Sequence, residues 1–164
     1  MDDFWVTLNS PDSRTKFDAV IFDIDGTLAD VSKLRQEWLY SEDHKMDFQG
    51  FHAASADAPV IPWVREAAMR TDAQGLSVVI VTGRASRWRH HTAWWLALNN
   101  IPSDALLMRA DNDNRPDPIV KTNMLNQIQL EWNPIWAFDD NPSTIPVWQK
   151  ARIPVTVVPG WTTF

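Results

Sequence analysis

The chain has no cysteine among its 164 residues. A disulfide framework, a thiolate nucleophile and a cysteine-ligated zinc site are therefore excluded, and the absence fits a reducing cytoplasmic compartment. Glycine is scarce as well: there are five, and none is followed by lysine. The phosphate-cradling loop Gly-x-x-x-x-Gly-Lys-[Ser/Thr] is thus missing, so we expect no kinase activity of that type from this sequence.

Long apolar runs and an excess of basic residues are also lacking. Apolar segments such as residues 77–82 are far too short to cross a membrane. The opening MDDFW carries two acids where a signal peptide has positive charge. Fifteen Lys and Arg face twenty-one Asp and Glu, a net charge of −6, which argues against binding along a duplex. We expect no membrane association, and the charge leaves room for a small basic site.

Short apolar runs alternate with helical stretches along the chain. Strand signals cover residues 17–23, 77–82, 105–108, 134–139 and 154–158, and helix signals cover 31–40, 59–73, 86–99, 118–130 and 142–151. The strand runs are uniformly apolar, as in a parallel sheet covered on both faces. The sequence predicts one domain, residues 1–164, with a three-layer, doubly wound α/β fold. Its expected parts are an N-terminal arm (1–16), a core (17–30 and 59–164) and a small cap insertion (31–58).

Reactive side chains stand where three of the predicted strands end. Asp23 and Asp25 follow the first strand, Thr82 ends the second, and Asp139 and Asp140 end the fourth. Ligands of doubly wound sheets bind beyond the carboxyl ends of the strands, so these groups are expected to meet there. Clustered carboxylates repel one another, and a hard, oxygen-preferring cation such as Mg²⁺ relieves that repulsion. The pattern therefore predicts a magnesium site.

The segment FDIDGTL at 22–28 resembles the first motif of the haloacid dehalogenase superfamily, Asp-x-Asp-x-Thr after an apolar strand. Thr82 after VVIV resembles its second motif, Lys121 its third, and Asp139-Asp140 its fourth, in the family's order. The resemblance implies a Rossmannoid core of the haloacid dehalogenase type. It also implies an enzyme, and the acid at position 25 favours a phosphatase or phosphotransferase over a dehalogenase.

The reaction implied by this resemblance is phosphomonoester hydrolysis through an aspartyl-phosphate. Asp23 is the implied nucleophile. Asp25 is the implied general acid and base, with a pKa expected to be raised by the neighbouring carboxylate. Magnesium is expected on Asp23, the main-chain carbonyl of Asp25, and Asp139.

The other motif residues are expected to act on the phosphoryl group. Thr82 and Lys121 are expected to bind its oxygens, with Lys121 also pairing with Asp23. Asp140 is expected to hold Lys121 or a metal-bound water. The catalytic set implied by the resemblance is therefore Asp23, Asp25, Thr82, Lys121 and Asp140.

A narrower resemblance runs from Met108-Arg109 to Lys121. This stretch is similar to the phosphatase domain of phage polynucleotide kinase-phosphatases, although the polar loop at 111–115 differs. It implies substrate binding by Gly83, Arg84 and Arg109. The implied substrates are 3′-phosphorylated polynucleotide ends or nucleotides, as in nucleic acid repair, with a phage-encoded enzyme working in the host cytoplasm.

The substrate depends on how the site is covered. Residues 30–59 provide only about thirty residues for a cap, so we expect an open site. A nucleotidase or small-metabolite phosphatase is the alternative to a polynucleotide phosphatase, and a non-catalytic binding protein is disfavoured by the intact motif acids and lysine. Basic residues that are candidates to line the site are Arg84, Arg87, Arg89, His90, His91, Arg109, Arg115 and Lys121.

Tryptophan is abundant, with ten residues. Trp88, Trp95 and Leu98 recur at helical spacing and are predicted to face the sheet as core. Trp136 falls in a predicted buried strand. Trp38, in the cap insertion, is the candidate for stacking on a nucleobase, and most of the others are expected in the core.

Overall fold

A computed structural model describes residues 16–40 and 46–161 of the chain. Most of the predicted N-terminal arm and part of the cap insertion lie outside these residues. Five strands form one parallel sheet in the order β3-β2-β1-β4-β5. The strands are β1 (Phe17–Asp23), β2 (Ser77–Ala85), β3 (Ala105–Arg109), β4 (Trp132–Asp139) and β5 (Val155–Val157). The order places β1 at the centre, so its carboxyl end lies between those of β2 and β4.

Six helices accompany the sheet in the described residues. They are α1 (Ser32–Leu34), α2 (Phe48–Ala54), α3 (Pro62–Ala73), α4 (Arg89–Leu98), α5 (Asp117–Glu131) and α6 (Ile145–Lys150). A π turn (Arg35–Leu39) continues α1, and 3₁₀ turns follow α2 (Ser55–Asp57) and precede α4 (Ser86–Trp88). Helices α3, α5 and α6 have proline in the first turn, where no intrahelical donor is lost. None of the described helices combines the length and hydrophobicity needed to cross a bilayer.

Both faces of the sheet are covered, as the apolar strands predict. Val20 and Phe22 of β1 enter one buried cluster, with side chains of α3 and α4, and Phe22 stacks on Phe138 at 4.7 Å between ring centroids. Ala19 and Ile21 of the same strand enter a second cluster, with α5 and α6. The predicted three-layer α/β fold with a parallel sheet is therefore confirmed.

The cap insertion contains a helix that the sequence pattern did not predict. Helix α2 begins after Asp47, whose side chain accepts hydrogen bonds from the backbone N–H groups of Gln49 and Gly50. Gly50 lies against the ring of Trp38, which leaves no room for a β-carbon. Trp38 thus packs with the core cluster around Phe51 and is not among the residues lining the main cavity.

Of the three residues predicted to pack as core around α4, only one is buried. Trp95 is buried as expected, and its indole N–H donates to the carbonyl of Ala58, which ties the end of the insertion to the core. Leu98 is 60% exposed and Trp88 lies on a cavity wall, so the core prediction was wrong for both. The reason is local: Trp88 belongs to a 3₁₀ turn before α4, which breaks the helical spacing.

Candidate active site

Lys121 is a buried cation between two strand ends. Its Nζ donates to Asp23 Oδ1 at 2.7 Å and to Asp139 Oδ2 at 2.9 Å, and the residue is 1% exposed. Asp23 ends β1, Asp139 ends the neighbouring strand β4, and Lys121 comes from α5 on one face of the sheet. One ammonium group thus joins Asp23, which lies 98 positions from the lysine in sequence, to Asp139, which lies 18 positions from it.

Burial and charge set opposite protonation tendencies in this cluster. Burial raises the pKa of Asp23 well above its ordinary value, and the carboxylates of Asp139 and Asp140 add to the rise that Lys121 opposes. Burial also opposes ionisation of Asp139, yet Lys121 and several hydrogen bonds keep its pKa below the ordinary value. The pKa of Lys121 is raised despite burial, because Asp139 and Asp23 stabilise the ammonium ion.

Asp25 is held by Arg84 rather than left beside the other carboxylates. Arg84 Nε donates to Asp25 Oδ2 at 2.9 Å and Nη2 donates to Oδ1 at 2.5 Å. Burial would raise the pKa of Asp25, but this two-point contact lowers it below the ordinary value. The upward shift expected for the pKa of Asp25 was therefore wrong. Arg84 is 2% exposed and is not among the cavity-lining residues, and its predicted contact with substrate stays a prediction.

Asp139 and Asp140, adjacent at the end of β4, have different hydrogen-bond partners. The carboxylate of Asp139 accepts hydrogen bonds from Lys121, from the backbone N–H of Asn141 at 2.9 Å and from Trp148 Nε1 at 3.0 Å. Asp140 contacts Thr27 and Arg35 rather than Lys121. Asp139 therefore holds the lysine and Asp140 does not contact it, so of the two roles predicted for Asp140 only that of holding a metal-bound water stays a prediction. Trp148, fully buried, had no sequence signal beyond its apolar character.

The oxygen atoms at this edge fit a divalent cation. One carboxylate oxygen each from Asp23, Asp139 and Asp140 lie within 4.8 Å of one another. The main-chain carbonyl of Asp25 is tied to the same place, because Arg35 bridges it to Asp140 Oδ2. An all-oxygen set with surplus negative charge suits Mg²⁺, and a guanidinium ion standing among these oxygens shows that the position attracts a cation.

The second-motif residues and Arg109 shape the loops beside the acids. Thr82 is buried, and its Oγ1 accepts from the Arg84 backbone N–H at 3.2 Å. Gly83 allows Asp117 to approach, since a β-carbon at Gly83 would lie 2.6 Å from Asp117 Oδ1. Arg109 Nη2 donates to the same Asp117 oxygen at 2.6 Å, and its Nε donates to the Gly83 carbonyl at 2.9 Å.

Arg109 holds the polar loop at residues 111–115 through hydrogen bonds to its backbone. Its Nη1 donates to the carbonyls of Asp113 at 3.0 Å and Arg115 at 2.6 Å. With the contacts to Gly83 and Asp117, all three guanidinium nitrogens are engaged within the protein. Arg109 thus fixes the loop that forms one side of the cavity, and because it also lines that cavity, its predicted contact with substrate stays a prediction.

A cavity of about 580 Å³ opens above these acids. Asp23, Asp25, Lys121 and Asp140 lie at its base, and the cap insertion supplies one wall. The aromatic lining residues are Tyr40, Phe48, Phe51, His52, Trp88 and Trp161. The cationic lining residues are Arg35, Arg87, Arg109, Arg115 and Lys121. Of the basic candidates, Arg84, Arg89, His90 and His91 are therefore not on this wall.

His52 is a cavity residue that the sequence did not single out. Its Nδ1 is buried with no hydrogen-bond partner among the described residues. Burial lowers the pKa of His52, the charge of Asp25 opposes this shift, and nearby arginines add to the lowering. Its ring lies 6.5 Å from that of Trp88 and 5.2 Å from that of Phe51, so the three form an aromatic wall. The only hint in the sequence was a lone histidine in a segment without a clear pattern.

Solved structures share this arrangement of strands and helices. The class C acid phosphatase of Bacillus anthracis superposes with a TM-score of 0.68 at 14% identity, over 91% of this chain and 70% of that chain. At this identity the likeness shows the fold alone. Fold and strand-end residues together define the class: an α/β phosphatase of the haloacid dehalogenase type.

The family follows from a match over most of the chain. The family model described as the polynucleotide kinase PNKP phosphatase domain matches residues 17–160. The chain belongs to this family, and it is a phosphatase.

Relatives in this group are longer proteins. A protein of Autographa californica nuclear polyhedrosis virus, described as "Putative bifunctional polynucleotide kinase/RNA ligase", is 31% identical over 139 residues, 83% of this chain and 18% of that protein. A chain in the structure of a Pnkp1/Rnl/Hen1 complex is 26% identical with a TM-score of 0.76, over 96% of this chain and 50% of that chain. This chain thus spans half or less of the length of these relatives.

Proposed function

We propose that this phosphatase is a Mg²⁺-dependent phosphomonoesterase that works through an aspartyl-phosphate on Asp23 and acts on 3′-phosphorylated polynucleotide ends or nucleotides. One observation supports it above the others. Asp23 lies at the base of the cavity, with Lys121 Nζ 2.7 Å from its Oδ1 and with Asp25 and Asp140 beside it. A carboxylate so placed can meet a phosphoryl group that enters from the cavity.

The chain's own residues supply the nucleophile and the proton. An Asp23 oxygen attacks phosphorus, and the bond from phosphorus to the ester oxygen breaks. Asp25 gives its proton to the departing oxygen and later takes one from the water that cleaves the aspartyl-phosphate. Lys121 offsets the charge that Asp23 and the phosphoryl oxygens bring together. Arg84 orients Asp25 for both proton transfers through its two-point contact.

Asp23, the Asp25 carbonyl and Asp140 would hold the metal ion. Asp139 is better suited to holding Lys121, because its oxygens already accept three hydrogen bonds from protein groups. When bound, the ion supplies positive charge that lets an anionic nucleophile approach an anionic phosphate.

The cavity wall supports a nucleotide or strand end as the substrate. Trp88 and the rings of the cap insertion offer stacking surfaces, each worth about 1–3 kcal/mol per base. Arg87 and Arg115 on the same lining are suited to backbone phosphates. The name of the viral relative, a polynucleotide kinase and RNA ligase, is consistent with this substrate class.

Activity is tested first on p-nitrophenyl phosphate. Phosphate release should require Mg²⁺, stop in EDTA and be lost in Asp23→Asn. Asp57→Asn, which removes an exposed acid of the insertion, is the matched control and should keep the wild-type rate. Turnover by Asp23→Asn would contradict the role of Asp23 as nucleophile, and an undiminished rate in EDTA would contradict the dependence on Mg²⁺.

The substrate is tested with a panel of 3′-phosphorylated oligonucleotides, mononucleotides and sugar phosphates. A nucleotidase is the second candidate, because a cavity of about 580 Å³ is the size of small-molecule pockets. Trp88→Ala should raise KM for oligonucleotides and nucleotides about tenfold, as loss of one stacking contact predicts, and leave KM for sugar phosphates unchanged. Trp94→Ala, which removes a 65%-exposed tryptophan outside the cavity lining, is the control. Sugar phosphates turning over fastest would contradict the nucleic acid assignment.

A further inference from the structure

Arg35 is buried among the oxygens expected to hold the metal ion. Its Nη1 donates to Asp140 Oδ2 at 2.9 Å and its Nη2 donates to the Asp25 carbonyl at 2.7 Å. The residue is only 8% exposed. One face of the guanidinium lies over the ring of Trp161, with Cζ 4.5 Å from the centroid. The side chain is thus held by a carboxylate, a carbonyl and an aromatic ring.

The backbone is shaped to admit this contact. Gly26 has φ +94°, and a β-carbon there would lie 2.0 Å from Asp140 Oδ2 and 2.9 Å from Arg35 Nη1. Only a residue without a side chain lets the carboxylate and the guanidinium meet at this point. The pair therefore occupies space that the first strand-end turn leaves free.

Charge balance gives the contact its importance. Asp23, Asp139 and Asp140 cluster with Lys121 as their buried partner, which leaves surplus negative charge. Arg35 is a further buried cation at this edge, beside Lys121 and beside Arg84, which is paired with Asp25. It neutralises the carboxylate that Lys121 does not reach, since uncompensated buried charges are costly.

We propose that Arg35 is a built-in cation that holds the metal-binding oxygens in the metal-free protein and has to leave them before a divalent cation can bind. The inference rests on the proposed function, since it concerns the metal ion proposed there. The Asp25 carbonyl and the Asp140 carboxylate cannot serve the guanidinium and the ion from the same lone pairs. The cavity, which Arg35 also lines, provides room for the displaced side chain.

Two roles of Arg35, competing with the metal ion or only supporting the fold, predict opposite effects of its removal on Mg²⁺ binding. If Arg35 only supported the fold, Arg35→Met would lower stability and weaken Mg²⁺ binding together. If it competes, the same substitution lowers stability without metal, because Asp140 loses its counter-charge, but tightens Mg²⁺ binding. Methionine keeps much of the length and apolar stem against Trp161, so the change is mainly one of charge and donors.

The experiment is Mg²⁺ titration by calorimetry, with melting temperatures recorded in EDTA and in saturating Mg²⁺. Arg35→Met should bind Mg²⁺ on the order of tenfold more tightly than wild type, about 1.4 kcal/mol. It should melt lower than wild type in EDTA and recover most of the difference with Mg²⁺. Arg87→Met is the matched control: it removes a cavity arginine that pairs with Asp111, and its Mg²⁺ affinity should stay within about twofold of wild type.

Each outcome decides between the ideas. Equal or weaker Mg²⁺ binding by Arg35→Met overturns the competition while leaving the metal site in place. Absence of Mg²⁺ binding in both proteins overturns the metal site as well. If Arg35→Met fails to fold, wild-type protein still gives the answer through the NMR signal of the Arg35 Nε–H, assigned by its absence from Arg35→Lys. That signal should shift on addition of Mg²⁺, and an unchanged signal at saturation overturns the proposal.

Discussion

Arg84 donates hydrogen bonds to both carboxylate oxygens of Asp25, from Nε to Oδ2 at 2.9 Å and from Nη2 to Oδ1 at 2.5 Å. Both groups are largely buried, so the contact fixes the orientation of Asp25 at the cavity base. It also keeps the pKa of Asp25 below its ordinary value, because the guanidinium stabilises the carboxylate against the effect of burial. Arg84 thus favours the carboxylate form of Asp25, the form that accepts a proton.

Arg84→Gln should therefore move the pH dependence of the reaction. In wild type the protonated fraction of Asp25 falls as the pH rises through a lowered pKa. Loss of Arg84 raises that pKa, so the alkaline limb of kcat/KM should shift to higher pH. The maximal rate should fall at least tenfold, because a positioned acid contributes about 10²–10⁴-fold and part of the positioning is lost.

The measurement is a pH–rate profile on a substrate with a poor leaving group, where the proton is needed. Arg87→Gln, which alters a half-exposed cavity arginine, should leave the limb in place. If the alkaline limb of kcat/KM does not move in Arg84→Gln, in protein shown by circular dichroism to be folded, Asp25 is not the general acid.

Asp23→Asn should stabilise the metal-free protein at neutral pH. Burial raises the pKa of Asp23 above its ordinary value of 3.8, so the folded state binds the proton more tightly than the unfolded state. Stability is then lost as the pH rises from the unfolded pKa through the folded one. Asparagine removes that cost, and Lys121 keeps Asp139 as a partner. We expect a gain of about 1 kcal/mol, or roughly 2–4 °C in Tm, at pH 7 in EDTA.

Asp139→Asn provides a matched comparison of opposite sign. The pKa of Asp139 is lowered, so its stabilising contribution is present above the ordinary value and disappears as the pH falls through the folded pKa. This variant should melt below wild type at pH 7 and approach it in acid. The gain in Asp23→Asn should also vanish below about pH 4, where the unfolded carboxyl is protonated as well. If both variants changed the melting temperature at pH 7 by the same amount and in the same sense, the opposite pKa shifts of Asp23 and Asp139 would be contradicted.

The fold and the acids were predictable because they depend on local pattern. Apolar runs at 17–23 and 134–139 end in carboxylates, and neighbouring parallel strands bring such ends to one edge. The partners of those acids were less predictable. Whether Lys121 meets Asp139 or Asp140 depends on which of two adjacent side chains points inward at the end of β4, and residue order does not state that direction.

Arg35 and Trp88 show a second limit of sequence reasoning. Both lie in short irregular turns, a π turn and a 3₁₀ turn, where helical spacing no longer tells which side a residue faces. Arg109 shows a third, since a loop arginine with carbonyl groups around it becomes a clamp only once the loop has closed on it. Such contacts are made by tertiary structure rather than by propensity.

Lys121→Met should be strongly destabilising, and removing one of its partners should offset part of the loss. The substitution leaves Asp23 and Asp139 buried without their cation, which costs about 3–5 kcal/mol. Adding Asp23→Asn removes one of the two unpaired charges, so the double variant should be more stable than Lys121→Met alone. Urea denaturation in EDTA gives the four free energies of the cycle. Strict additivity would mean that the lysine and Asp23 do not interact in solution.

Gly26→Ala and Gly75→Ala separate backbone strain from disruption of the site. Both glycines have positive φ, +94° at Gly26 and +75° at Gly75, so alanine at either position costs about 1–2 kcal/mol. A β-carbon at Gly75 meets nothing within 4 Å, whereas one at Gly26 would lie 2.0 Å from Asp140 Oδ2. Gly75→Ala should therefore lose stability and keep its kcat and Mg²⁺ affinity.

Gly26→Ala should lose more stability, and its Mg²⁺ affinity and kcat should each fall at least tenfold, because Asp140 has to move. Parallel calorimetry and kinetics on the two variants test this, and matching Mg²⁺ affinities would show that Asp140 is not a metal ligand.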